Sequence, residues 1–175
     1  DVTLPIFADI AAGTGASAIL SRGNSCELNI VDVGIDTPEP EAQGPATVAG
    51  GAPHITVTHA KVRRNSHDMT QGPALLPEDR MAAEQVGAKA VRRYIAAHAP
   101  QHRQHHKAAT ESSTTTTHSR LIVCIGELGI GNTTAAAALV AALTGEPAAL
   151  VTGKGTGLGV EGVSLKAKAI EKALA

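Results

Sequence analysis

Apolar positions recur along the chain in short blocks whose spacing switches between helix-like and strand-like periods. Near the start, Ile6, Phe7, Ile10, Ile19 and Leu20 lie on either side of a Gly13-Thr14-Gly15 break, which predicts two short helices meeting at a tight corner. Leu28-Asn29-Ile30-Val31-Asp32-Val33-Gly34 is short, β-branched and closed by glycine, the pattern of a buried strand. Thr37 to Pro53 is rich in Pro, Gly and Ala, lacks an apolar period and reads as a loop. From His54 to Ala60, Ile55 and Val57 alternate with Thr56 and Thr58, which predicts a second strand.

Lys61 to Pro77 is polar, basic and loop-like. It leads into a predicted helix over Glu78 to Ala99, with Pro77, Glu78 and Asp79 suited to the first turn. The tract QHRQHHKAATESSTTTTHSR after Pro100 has no apolar face to bury, so a disordered or poorly ordered insertion is expected at about 101–119. Beyond it the pattern alternates. Leu121 to Ile125 and Ala148 to Val151 read as strands, each followed by a glycine-rich turn, with helices over Thr133 to Leu143 and Val160 to Leu174. This βαβα order argues for one α/β domain over residues 1–175, a parallel sheet flanked by helices in a Rossmann-like three-layer arrangement.

Composition narrows the choice of partners. Hydrophobic residues make up 43% of the 175 positions, but alanine is a large share of them and Phe7 and Tyr94 are the aromatic complement. The core must therefore be built from Val, Ile, Leu and closely packed Ala. A net charge of -1 and a pI near 6.8 give no electrostatic reason to expect nucleic acid or an anionic membrane as partner. The longest apolar runs, such as Ala135 to Leu143, are too short and alanine-rich to span a bilayer. Cys26 and Cys124 form no CxxC pair, so neither a disulfide scaffold nor a zinc site is expected, and a reducing, cytoplasmic setting fits. The chain opens on Asp1 without the pattern of a signal peptide, which suggests a chain cut from something longer.

Candidate chemistry concentrates in two glycine-rich loops. Gly126-Glu127-Leu128-Gly129-Ile130-Gly131-Asn132-Thr133-Thr134 sits between a predicted strand and a helix, where glycines admit close approach of a ligand and the helix start offers N–H groups to an anion such as phosphate. The spacing from Gly126 to Thr133 is that of a P-loop, but Asn132 stands where that loop needs lysine, which disfavours nucleoside triphosphate hydrolysis. The dinucleotide fingerprint fails as well, because Thr134 occupies its third glycine position. The plain alternative is a glycine turn with Thr133 or Thr134 capping the helix.

Gly153-Lys154-Gly155-Thr156-Gly157-Leu158 forms the second loop, with Lys166 on the helix that follows. Paired loops at adjacent strand ends are where open α/β sheets bind ligands. Lys166 is either a cation for that ligand or a solvated helix lysine.

The segments GELGIGNTTAAAALVAALTG and GKGTGLGVEGVSLKAKAIEKAL closely resemble the nicotinate-nucleotide:dimethylbenzimidazole phosphoribosyltransferase family, which makes the lower ligand of cobalamin. The resemblance is dense over Gly126 to Leu174. It continues more loosely through Asp1-Val2-Thr3, Val31-Asp32-Val33-Gly34, Arg64-Asn65-Ser66-His67-Asp68-Met69 and Pro73-Ala74. It implies phosphoribosyl transfer from nicotinate mononucleotide to dimethylbenzimidazole, without metal or cofactor, giving α-ribazole phosphate and nicotinate. It also implies that Leu128, Gly129, Gly131, Asn132, Thr133, Gly153, Gly155, Thr156, Gly157 and Lys166 bind substrate, and that Glu127 is the carboxylate lining the benzimidazole site. A homodimer is the family's assembly. The resemblance further implies an incomplete domain, since family members have an earlier segment and a C-terminal half that holds the glutamate assigned as catalytic base. Pro5 replaces a glutamine common in the benzimidazole pocket, and Gly159 replaces an aspartate that often follows the second loop.

Two alternatives differ in class: a non-catalytic nucleotide-phosphate-binding protein derived from the enzyme, and an unrelated small NTPase, which Asn132 argues against. Glu127 could equally serve as a partner for the dipole of the next helix. His98, His102, His105 and His106 read as a solvated cluster, and Lys61, Arg63 and Arg64 as a solvated basic loop. Asp32 is either a ligand contact at a strand end or a buried, hydrogen-bonded carboxylate.

Overall fold

A computed structural model describes residues 2–38, 44–46, 54–109 and 121–175, with backbone alone at 44–46 and 99–109. The chain divides into two compact units, Asp1–Leu76 with Leu128–Ala175, and Pro77–Glu127.

In the first unit the apolar opening folds as helices α1 (Thr3–Ala12) and α2 (Ala16–Gly23). The corner between them is tight: a Cβ on Gly15 would stand 2.7 Å from Cγ1 of Ile10, so a larger residue would push the helices apart. Strand β1 (Leu28–Asp32) pairs in parallel with β3 (Ile55–His59), in register from Leu28 opposite Ile55 to Asp32 opposite His59. Ile10, Ala18 and Ile55 form a buried cluster with Leu28 and Ile30 packed against it, so α1 and α2 cover one sheet face. This parallel pair with its helices is an incomplete α/β domain. Strand β2 (Gly44–Ala46) runs antiparallel to β3 on its other side, inside the segment expected to be loop. Gly-Pro-Ala has no apolar alternation to announce a strand, and Pro45 is tolerated because β2 is an edge.

A second core in the same unit joins α4 (Asn132–Thr144), α5 (Ala148–Val151) and α6 (Val160–Leu174). Ala137, Ala141, Ala148, Ala167 and Ile170 are its buried residues, and Met69 packs on it from the preceding loop. Alanine at these contacts lets the helices approach closely, while larger residues of the same helices, Leu139, Leu143, Leu150 and Leu165, stay exposed.

Ala148 to Val151 is thus one helical turn, where the apolar pattern predicts a strand. Pro147 presets the turn at φ -56, and the amides of Leu150 and Thr152 bond back to Pro147 and Ala148. So short an apolar run has no distinguishing period.

The second unit contains α3 (Pro77–Ala109), begun by Pro77 with Glu78 and Asp79 in its first turn. An Arg80–Glu84 ion pair and a stacked Tyr94–His98 pair, ring centroids 4.0 Å apart, lie along it. The helix runs on through Pro100 to Ala109, beyond the expected end at Ala99: Pro100 takes one donor out of the ladder, and the helix-favouring Gln, Arg, Lys and Ala among 101–109 carry the helix past it. The rest of the His/Thr-rich tract, 110–119, lies outside the described residues, as do 39–43 and 47–53 of the Pro/Gly-rich segment. Leu121 to Ile125, expected as a strand, has no regular structure, and Ile122 and Ile125 are 82% and 92% exposed. Its β-branched composition is strand-like, but among the described residues no neighbouring strand completes a ladder with it.

Candidate functional site

Helix α4 begins directly after the first glycine loop. Gly131 supplies its N-cap in the left-handed region, at φ +91, and its carbonyl accepts from the amides of Thr134 at 2.8 Å and Ala135 at 3.2 Å. A side chain at Gly129 would collide with Asn132, whose Oδ1 lies 2.9 Å from where a Cβ would be. The loop is tied to the start of the chain by the amide of Ile130, which donates to Thr3 Oγ1 at 3.3 Å. No acidic residue occupies the first turn of α4.

The second loop links α5 to α6. Its Lys154 carbonyl accepts from the amides of Gly157 and Leu158, making a compact turn that leaves Lys154, Thr156 and Gly157 exposed. Lys166, on α6, departs from the solvated-lysine alternative, being only 8% exposed. A buried ammonium is costly unless hydrogen-bonded. Its Nζ donates to Thr133 Oγ1 at 2.8 Å, in the first turn of α4, and to the carbonyl of Gly153 at 3.3 Å, in the second loop. Gly155 closes over this contact. At φ +57, a Cβ there would lie 2.9 Å from Thr133 Oγ1 and 3.6 Å from Lys166 Nζ. The structure therefore brings Thr133, Gly153, Gly155 and Lys166 together, beside the helix start formed by Gly131 and Asn132. Leu128 opens the same unit, and Glu127, with an exposed side chain, ends the other.

A second polar cluster was not evident in the residue pattern. Asp32, at the end of β1, is buried and does not stand free for a ligand: its Oδ1 accepts from the amides of Gly34 at 3.0 Å and Ile35 at 2.9 Å. Lys61, expected in a solvated loop, is instead buried, with Nζ 3.3 Å from Asp32 Oδ2 and donating to Ile35 O, Thr37 O and Thr37 Oγ1 at 2.7, 2.9 and 2.8 Å. Arg64 keeps the expected exposure but pairs with Asp36 at 2.8 Å. The clue was the position of Lys61 two residues past the strand position paired with Asp32, the carboxylate ending the neighbouring parallel strand. In the same loop, Thr70 donates its amide and hydroxyl to Asp68 Oδ1, both at 2.9 Å. The Thr70 amide, then its hydroxyl, and the charge of Lys172 hold the Asp68 carboxyl below the ordinary aspartate range. Among the described residues no cluster of three or more His, Cys, Asp or Glu could hold a metal ion.

A family model described as phosphoribosyltransferase matches residues 1–101 and 101–175. The nicotinate-nucleotide–dimethylbenzimidazole phosphoribosyltransferase of Chromobacterium violaceum is 34% identical over 99% of this chain and 41% of its own length. The Bradyrhizobium sp. (strain ORS 278) protein of the same name is 36% identical over 99% of this chain and 40% of its own. The crystal structure of CobT from Thermus thermophilus superposes with a TM-score of 0.72 at 33% identity, covering 99% of this chain and 42% of that one. The chain thus spans about two fifths of the length of the relatives it matches.

Proposed function

The chain belongs to the phosphoribosyltransferase family whose model spans it, and from that premise we propose that it carries the nucleotide-phosphate site of an enzyme joining ribose phosphate to dimethylbenzimidazole. The donor is nicotinate mononucleotide. The products are α-ribazole phosphate and nicotinate, on the route to the lower ligand of cobalamin. Lys166 carries this reading: a buried ammonium held between two glycine loops, next to a helix start with no acidic residue in its first turn, is a place for a phosphate dianion. Leu128, Gly129, Gly131, Asn132 and Thr133 supply the first loop's wall, and Gly153, Gly155, Thr156 and Gly157 the second.

The chemistry asks little beyond placement. The pyridinium of the donor already bears a positive charge, so the bare nitrogen of dimethylbenzimidazole attacks C1′ while the bond from C1′ to the pyridinium nitrogen breaks. That electron pair neutralises the departing nicotinate ring. The proton on the second benzimidazole nitrogen passes to a carboxylate base, and anchoring the phosphate holds C1′ in line for attack. By family resemblance Glu127 lines the benzimidazole side. A homodimer in the cytoplasm is the matching assembly and setting.

The test mixes the purified chain with nicotinate mononucleotide and dimethylbenzimidazole and follows products by chromatography. Nicotinate and α-ribazole phosphate appearing only when both substrates are present support the transferase. Nucleotide binding by calorimetry without turnover upholds the phosphate site in a chain that spans two fifths of its relatives, and absence of both overturns that site.

A further inference from the structure

We propose that the hydroxyl of Thr133 is a positioning residue that acts through Lys166, fixing the ammonium at the junction of the two loops so that its remaining N–H meets the phosphate. This rests on the phosphate-site reading above and deepens it. An ammonium has three N–H donors. Among the described residues two of them are taken, by Thr133 Oγ1 at 2.8 Å and Gly153 O at 3.3 Å, and these acceptors come from different loops. Lysine is a flexible stem with a compact charge, so an unheld Nζ would sample many positions. A backbone carbonyl and a β-branched side chain with few χ1 choices together restrict it.

Gly155 makes the arrangement specific to this threonine. The space its Cβ would occupy is 2.9 Å from Thr133 Oγ1, so the second loop lies directly against the hydroxyl that holds the lysine. The hydroxyl thus accepts from Lys166 and has Gly155 as its neighbour on the second loop, while Thr133 as a residue is exposed. Its contribution to binding is carried by the lysine it places, whereas the backbone of residues 131–133 presents the helix start. A threonine whose oxygen instead touched the phosphate directly would act independently of residue 166, and that difference is measurable.

The experiment uses the whole chain, Thr133→Val, which keeps shape and removes the acceptor, Thr133→Ser, which restores it, and both Thr133 states with Lys166→Met. Without ligand, nitrogen-detected NMR should show slowed exchange of the Lys166 ammonium protons in the parent and in Thr133→Ser, and fast exchange in Thr133→Val. Calorimetry with nicotinate mononucleotide should show Thr133→Val binding about tenfold more weakly, Thr133→Ser near the parent, and no further loss when Thr133→Val is added to Lys166→Met. Equal ammonium exchange in all three proteins overturns the proposal whatever the nucleotide does. An undiminished loss in the Lys166→Met background overturns it too, in favour of direct contact. Exchange that follows the hydroxyl in a parent protein that binds no nucleotide upholds the placement of Lys166 and overturns the phosphate site instead.

Discussion

Asp32 and Lys61 meet just past the ends of two neighbouring parallel strands, Nζ 3.3 Å from Oδ2, with the lysine side chain 0% exposed and the aspartate 5%. Removing one member of such a pair strands a charge out of water, so Lys61→Met is expected to cost about 3–5 kcal/mol, far more than a surface lysine. Urea unfolding measures it. A loss below about 1 kcal/mol would mean that water reaches Asp32 and Thr37 in solution.

Gly155→Ala should weaken binding of nicotinate mononucleotide about tenfold or more, since the new methyl both occupies the left-handed region and presses on Thr133 Oγ1. Gly87→Ala is the control. It lies inside α3 with no atom within 4 Å of the added carbon and should raise stability by about 1 kcal/mol. Calorimetry and thermal melts of both variants decide.

Ile170→Ala removes the fully buried side chain at the centre of the α4–α5–α6 cluster and is expected to cost about 2–5 kcal/mol. Leu143→Ala, two residues from the cluster's Ala141 but exposed, should change stability by no more than about 0.5 kcal/mol. Paired denaturation curves test the contrast.

The Asp68 carboxyl should titrate below the ordinary aspartate value of about 3.9, and Thr70→Ala should bring it part of the way back by removing the hydroxyl while keeping the amide. A carboxyl whose folded pKa is depressed contributes stability above the unfolded value and loses it as pH falls through the folded one. Because Asp68 is exposed, the effect belongs to the acid limb alone and stays small. Side-chain carboxyl shifts followed by NMR from about pH 6 down to about pH 2 read it directly.

What could be read from the residues was local. Strands around Ile30 and Val57, the Gly13–Gly15 corner and both glycine loops carry their own signatures in turn chemistry and period. Elements that depend on a neighbour did not announce themselves correctly. β2 exists because β3 offers an edge, and among the described residues Leu121 to Ile125 has no partner that would make it a strand. Lys61 looked solvated because its acceptors, the carbonyls of Ile35 and Thr37, are more than twenty residues away in sequence, and Lys166 meets Thr133 only once three helices have packed. A side chain's burial is a tertiary fact. No spacing rule contains it.

The exposed stretch Leu121-Ile122-Val123-Cys124-Ile125-Gly126 has a consequence for the life of the purified chain. Uncharged, free of proline and rich in β-branched residues, it can stack on copies of itself as a fibre-forming tape. Storage lifetime would then depend on concentration, with a lag shortened by preformed seed, and Cys124 at its middle would let air oxidation lock neighbouring tapes together.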